Sequence, residues 1–107
     1  MNIDFLILYT RSGCCLCEGL EERLKDISLQ DLNPSLALKV IDIDRDDLSA
    51  IEKEKYDLIV PVMVLVLQET NFMIEIPRVS PRIKKQELFH WLQKTINNIL
   101  SLNNCGT

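Results

Sequence analysis

The sequence predicts a single α/β domain with element order β-α-β-α-β-β-α, built on a central mixed four-stranded sheet with helices on both faces. Three observations lead to this prediction. The apolar run over residues 3–9 is typical of a strand buried on both faces, as in parallel sheets. An amphipathic stretch follows it and indicates a parallel β-α-β unit with a right-handed crossover. Later, the apolar runs 62–67 and 72–76 are separated by about four residues, which predicts an antiparallel hairpin.

Residues 18–27 have the pattern of a helix, and the helix itself is expected to start at or near Cys14. At about 100° per residue, the apolar positions share one arc that is expected to face the core. These positions are Leu16, Cys17, Leu20, Leu24 and Ile27. Cys17 is therefore expected at the edge of the buried stripe, Cys14 at the exposed first turn, and Cys15 on the opposite side.

The middle of the chain is predicted to hold a loop over 29–34, a second strand over 36–43 and a short helix over 48–56. Four carboxylates crowd the end of the second strand: Asp42, Asp44, Asp46 and Asp47. The sequence contains no glycine-bearing calcium-loop pattern there, so a helix cap and a solvated turn are favoured over a metal cluster.

The last helix is predicted from residue 84 or 85 to residue 102. Its inner face is formed by Leu88, Leu92, Ile96 and Ile99, with Phe89 and Leu100 widening it. Trp91 borders this face and is expected to pack in the core, whereas His90 falls on the outer side. Met63 and Met73, both in predicted strands, are expected to fill the core.

Length and composition narrow the class of protein. The chain has 107 residues, of which 47% are apolar and 26% charged, as in an ordinary globular domain. A net charge of −4 argues against a protein that binds nucleic acid through its phosphates. No apolar run reaches the ~20 residues that a membrane span needs, and the start of the chain lacks a basic leader region. We therefore expect a cytoplasmic protein, by default a monomer, whose cysteines serve chemistry.

The chemistry is expected at Cys14-Cys15-Leu16-Cys17, between the first strand and the first helix. A C-x-x-C pair in a βαβ setting indicates redox function, because N–H groups and the helix dipole at a helix start favour a thiolate. Two other classes stay open. Cys14, Cys15 and Cys17 could bind a metal or an iron–sulfur cluster, although neither His90 nor Cys105 has the spacing of a second ligand pair. The chain could also be a non-catalytic binding module.

Four segments together give the chain a family resemblance: Leu8-Tyr9-Thr10-Arg11, Cys14-Cys15-Leu16-Cys17-Glu18, Val60-Pro61-Val62, and Pro77-Arg78 before the last helix. The chain resembles the glutaredoxin-like proteins of the thioredoxin superfamily, and within them the small bacterial group with a Cys-x-Leu-Cys site. The resemblance implies a thioredoxin-like fold and a thiol–disulfide oxidoreductase, with Cys14 as attacking thiolate and Cys17 as resolving thiol.

The resemblance also implies a cis Val60–Pro61 bond facing the cysteine pair, with the backbone of Val60 available to an extended substrate. Arg11 and Arg78 are the candidates for steering an anionic thiol substrate. The expected partner is a disulfide-containing protein or a small thiol, and no cofactor is expected to stay bound.

Glutathione is implied as a co-substrate, but one departure argues against it. Glutaredoxins usually hold glutathione with a Gly-Gly step after the hairpin, and residues 76–81 read Ile-Pro-Arg-Val-Ser-Pro. The Trp-Cys-Gly-Pro-Cys motif of thioredoxins is absent as well, so a standard thioredoxin is not expected.

Overall fold

A computed structural model of the chain describes residues 4–32, 35–44, 60–68, 72–80 and 82–104. Four strands are present in these residues: β1 (Asp4–Thr10), β2 (Leu36–Asp42), β3 (Val62–Leu67) and β4 (Phe72–Glu75). Two α-helices accompany them, α1 (Cys15–Asp26) and α2 (Lys85–Asn104), and a 3₁₀ turn spans Leu29–Asp31. The predicted helix over 48–56 and Cys105 lie outside the described residues.

The strands form one mixed sheet in the order β2-β1-β3-β4. β1 runs parallel to β2, with Asp4 opposite Leu36 and Thr10 opposite Asp42. β1 and β3 are antiparallel, as are β3 and β4. The α/β class and the mixed four-stranded sheet are thus confirmed. Because β1 is a central strand that runs parallel to its neighbour β2, the residues that follow both strands meet at one end of the sheet.

Both described helices pack on the same face of the sheet. The fully buried side chains of this core come from α1, from α2 and from alternate positions of β1 and β3; they include Leu20, Leu24, Leu88, Leu92, Leu6, Leu8 and Leu65. Trp91 and Phe89 pack against this core from the margin of α2, as predicted. Burial of these apolar side chains provides most of the free energy that holds α1 and α2 against the sheet.

The opposite face of the sheet forms a second, smaller apolar cluster. Ile7, Tyr9, Val62 and Val64 are 4–8% exposed there, and Ile43 after β2 is 1% exposed. These residues alternate with those of the first core, which is the period-2 pattern of strands. Helices were predicted on both faces of the sheet; the two described helices lie on the first face, and the predicted helix over 48–56 lies outside the described residues.

Two residues expected in the core are exposed instead. Leu16 is 47% exposed because the buried stripe centres on Cys17, Leu20 and Leu24, which leaves Leu16 ~70° from its centre in the first turn. Met73 is 62% exposed because β4 is an edge strand. In β4 the alternation turns Phe72 and Ile74 toward the helices and Met73 away from them.

Neither described helix combines the length and apolarity that crossing a membrane requires.

Candidate redox site

The loop between β1 and α1 positions Cys14 at the start of the helix. Gly13 has φ +81°, a left-handed conformation that glycine adopts without the steric cost of a Cβ. Cys14 follows with extended backbone and donates its N–H to the Arg11 carbonyl over 3.3 Å. Cys14 is therefore the N-cap, one residue before the first helical position.

Cys14 and Cys17 form a disulfide, with their Cα atoms 5.2 Å apart. The backbone N–H of Cys17 donates to Cys14 Sγ over 3.1 Å, as an N-cap side chain accepts from the first helical turn. This donor and the positive end of the helix dipole both stabilise negative charge on that sulfur. In the disulfide form, the start of the helix therefore directs an N–H donor at the Cys14 sulfur.

The three cysteines of the motif differ in exposure. Cys17 is 1% exposed, Cys14 is half-buried, and Cys15 is an exposed free thiol. A nucleophile from solution must reach the sulfur that it attacks, and in this disulfide only Cys14 is within its reach. The burial pattern therefore separates an outer sulfur from an inner one.

A groove of about 320 Å³ is lined by residues of α1, of the start of β3, and of the end of β4 with the segment after it, and we call it the Pro61 groove. Its apolar lining includes Leu20, Pro61, Met63, Ile76 and Val79, and its charged lining is Glu75 and Arg78. The Val60–Pro61 peptide bond is cis. Leu20 follows Cys17 by three residues on α1, so the groove begins one helical turn from the disulfide.

The structure brings Pro61 and Arg78 together as lining of this groove, while Val60 precedes it in the chain and is half-buried. Arg11 lies elsewhere. Its guanidinium donates to both carboxylate oxygens of Asp44, over 3.1 and 3.2 Å, in a bidentate pair. The charge of Arg11 is thus compensated by Asp44, two residues after the end of β2.

A second contact ties the same loop to β2. Ser12 Oγ donates to Asp42 Oδ2 over 2.9 Å, and Asp42 Oδ1 accepts the Asp44 backbone N–H over 2.8 Å. The roles of Ser12, Asp42 and Asp44 were not predicted. The sequence could have predicted these contacts. The carboxyl ends of neighbouring parallel strands lie side by side, and the acidic cluster follows the second strand as the loop with Arg11 and Ser12 follows the first.

Replacing Asp44 with asparagine should lower the free energy of unfolding by less than about 1 kcal/mol, because partly exposed ion pairs contribute little. The two side chains are 35% and 31% exposed. Urea unfolding of the reduced protein at low and high salt measures this, and 1 M salt should shrink the difference. Glu21→Gln, which breaks the Glu21–Lys25 pair on α1, is the matched control. A loss above ~2 kcal/mol that salt leaves unchanged would contradict this account of the pair.

Binding of a metal ion or cluster by Cys14, Cys15 and Cys17 would require the reduced protein. In the disulfide neither Cys14 nor Cys17 offers a thiolate to an ion, and Cys15 is the remaining thiol of the motif. Within residues 4–32, 35–44, 60–68, 72–80 and 82–104, no three potential ligands of the His, Cys, Asp and Glu types converge. His90 lies on the outer side of α2, edge-on to Phe89.

Several solved structures superpose on this chain over most of its length. A malarial protein superposes with a TM-score of 0.56 at 14% identity, over 88% of this chain and 98% of that one. The germline-specific thioredoxin Deadhead of Drosophila melanogaster gives 0.55 at 15% identity, over 86% and 80%. The poxviral disulfide oxidoreductase G4, described as essential for cytoplasmic disulfide bond formation, gives 0.51 at 12% identity, over 83% and 90%. No curated protein sequence matches the chain.

The sheet order, the C-x-x-C motif at the start of α1 and these neighbours define a thioredoxin-fold protein with a redox-type cysteine pair. The family described as the glutaredoxin-like domain (DUF836) matches residues 5–93, which is most of the chain. The chain belongs to this family, and the resemblance drawn from the sequence is confirmed. Family, fold and disulfide together support a role like that of a thiol–disulfide oxidoreductase.

Proposed function

We propose that this protein is a thiol–disulfide oxidoreductase of glutaredoxin-like type, in which Cys14 attacks the substrate and Cys17 resolves the adduct. One observation supports this assignment above the others. The half-buried sulfur of Cys14 accepts an N–H bond at the start of α1, while the sulfur bonded to it is sealed from solvent. An activated outer thiol backed by an inner one is the arrangement that two-step exchange needs.

The reaction balances within the pair and its substrate. The Cys14 thiolate attacks one sulfur of the substrate disulfide, and the other sulfur leaves as a thiolate that takes up a proton. Cys17, having lost its proton, then attacks Cys14 Sγ and releases the second substrate thiolate, which is also protonated. The substrate gains two electrons and two protons, and the protein is left with its Cys14–Cys17 disulfide. An external thiol or dithiol regenerates the reduced pair.

The proposal places the substrate along the Pro61 groove. The backbone of Val60 would hydrogen-bond an extended substrate chain, as a strand edge does, and Pro61 would pack beside the reacting sulfur. Arg78, on the wall of the groove, would attract an anionic group. Arg11 would act through its pair with Asp44, holding the loop before Cys14. The working location would be the cytoplasm, where a reducing thiol pool keeps such a pair in turnover.

The test is turnover by the wild-type chain. Purified protein with dithiothreitol should accelerate the reduction of insulin or of bis(2-hydroxyethyl) disulfide above the rate with dithiothreitol alone. Equilibration in defined thiol buffers, followed by mass, would report whether the Cys14–Cys17 bond closes and at what potential. Absence of acceleration with every reductant tried would instead favour the non-catalytic module.

The reduced Cys14 thiol should ionise more readily than a free cysteine. A variant that keeps Cys14 as its sole cysteine should be alkylated by iodoacetamide with a pH midpoint well below ~8.5, the value of an unperturbed thiol. The N–H bond at the helix start and the helix dipole provide the reason. The same protein unfolded in urea is the control, and coincidence of the folded and unfolded midpoints would rule out activation.

A further inference from the structure

Polar side chains tie the loop between β1 and α1 to the end of β2 and the residues that follow it. Ser12 Oγ donates to Asp42 Oδ2 over 2.9 Å, and the Arg11 guanidinium pairs with Asp44. Asp42 has a second contact, since its other oxygen, Oδ1, accepts the backbone N–H of Asp44 over 2.8 Å. One carboxylate therefore holds both the loop and the turn that presents Asp44 to Arg11.

The same loop fixes the backbone of Cys14. The Cys14 N–H donates to the Arg11 carbonyl, which closes a β-turn with Ser12 and Gly13 as its central residues. Gly13 occupies the second central position with φ +81°, where glycine is favoured. The Ser12 side chain thus anchors this turn to β2 from within, and a displacement of the turn would move Cys14 relative to α1.

The position of Cys14 decides whether its sulfur meets the N–H groups at the start of the helix. In the disulfide form Cys14 Sγ accepts the Cys17 N–H over 3.1 Å, and the S–S bond joins the two residues covalently. Reduction removes that covalent constraint. The N-cap conformation of Cys14 then depends on the turn that precedes it, and hence on the contacts that hold this turn to β2.

We propose that Ser12 and Asp42 are positioning residues of the redox site, whose hydrogen bond keeps the turn before Cys14 in place after reduction. The Cys14 sulfur then stays within reach of the Cys17 N–H and of the positive end of the α1 dipole. This inference rests on the proposed function, in which Cys14 is the attacking thiolate. It goes further because it makes the end of β2 a determinant of how readily that thiolate forms.

The experiment measures the ionisation of Cys14 in the whole chain, with the other three cysteines replaced by alanine. The rate of alkylation by iodoacetamide is followed against pH. Ser12→Ala should raise the midpoint by about half a pH unit, the order of a helix-end interaction with one charge. The substitution changes no charge, since Arg11, Glu18, Asp42 and Asp44 all remain, so the shift reports the position of the sulfur.

Two further serine variants make this comparison specific. Ser12→Thr keeps a hydroxyl that can donate to Asp42 and should retain the midpoint of the parent. Ser28→Ala is the matched control, because Ser28 is also an exposed serine beside an end of α1, and its side chain makes no capping bond. Its removal should leave the midpoint unchanged.

A double-mutant cycle tests the part played by Asp42. Asp42→Ala removes a negative charge as well as the acceptor, and the loss of the charge favours the thiolate. Making the same substitution in the Ser12→Ala background cancels this charge effect, so the difference between the two shifts reports the hydrogen bond. We expect Asp42→Ala to give a higher midpoint shift when Ser12 is present than when it is absent.

The outcomes are distinct from those that decide the proposed function. An unchanged midpoint in Ser12→Ala, or an equal shift in Ser12→Thr, overturns the role of Ser12, and additive shifts in the cycle overturn that of Asp42. A parent midpoint equal to that of the unfolded chain overturns the inference as a whole. Alkylation needs no turnover, whereas absence of turnover in the insulin assay overturns the oxidoreductase function.

Discussion

Replacing Cys14 with serine is expected to reduce disulfide reduction by this protein to the uncatalysed background. A serine hydroxyl is not a nucleophile toward disulfides at neutral pH, and the buried Cys17 sulfur, 1% exposed, cannot replace it. The insulin assay with dithiothreitol measures this loss. Cys15→Ser is the matched control, because Cys15 is an exposed thiol outside the disulfide and its removal should leave most of the turnover.

Replacing Cys17 with serine should give a different defect. The first attack by Cys14 would proceed, but no inner thiol would release the adduct, so a mixed disulfide between protein and substrate should accumulate. Mass spectrometry of the protein after incubation with bis(2-hydroxyethyl) disulfide, without added thiol, would detect it. The same adduct on Cys14→Ser, but not on Cys17→Ser, would reverse the assigned roles. Full turnover by Cys14→Ser would remove the assignment altogether.

Leu8→Ala is expected to lower the free energy of unfolding by about 2–5 kcal/mol, which is a large part of the ~5–15 kcal/mol that stabilises a typical domain. Leu8 is fully buried in β1, opposite Met63 of β3 and Val40 of β2. Truncation would therefore leave a cavity bordered on both sides by strands that cannot close over it. Urea unfolding with the cysteines kept reduced measures the loss.

Met73→Ala provides the control for this cavity, since Met73 is 62% exposed on the edge strand. Its substitution should change the free energy of unfolding by less than about 0.5 kcal/mol. Because Leu8 lies three residues before Arg11, where the loop that positions Cys14 begins, the variant should also be assayed well below its unfolding midpoint. Equal losses in the two variants would contradict the description of β1 as the centre of the core.

The spacing of apolar residues was sufficient to predict those elements whose apolar residues recur at one regular interval. The strand over 62–67 was predicted at its observed bounds, and the last helix within two residues at its C-terminal end. The inner face of that helix was predicted as well, because Leu88, Leu92 and Ile96 recur at helical spacing. These features depend on contacts between residues near in sequence or on one repeated face.

The periodicity failed at the margins of these patterns. Leu16 and Met73 fit an apolar pattern yet are exposed, since burial at the first turn of a helix or on an edge strand depends on whether another element reaches that position. The pairs Arg11–Asp44 and Ser12–Asp42 join residues 33 and 30 positions apart, and only the parallel pairing of β1 and β2 brings them together.

For the site, the sequence by itself determined the local arrangement: a cysteine at a helix start, a second one turn further, and a third on the outer side. Its physical basis is the helical repeat, which acts over four residues and needs no distant contact. Only the tertiary structure decided that the Cys17 sulfur is sealed, that Arg11 is paired with Asp44, and that Leu20, Pro61 and Arg78 line one groove. Burial and long-range pairing depend on how strands order themselves in the sheet, and a linear pattern does not encode which strand edges become neighbours.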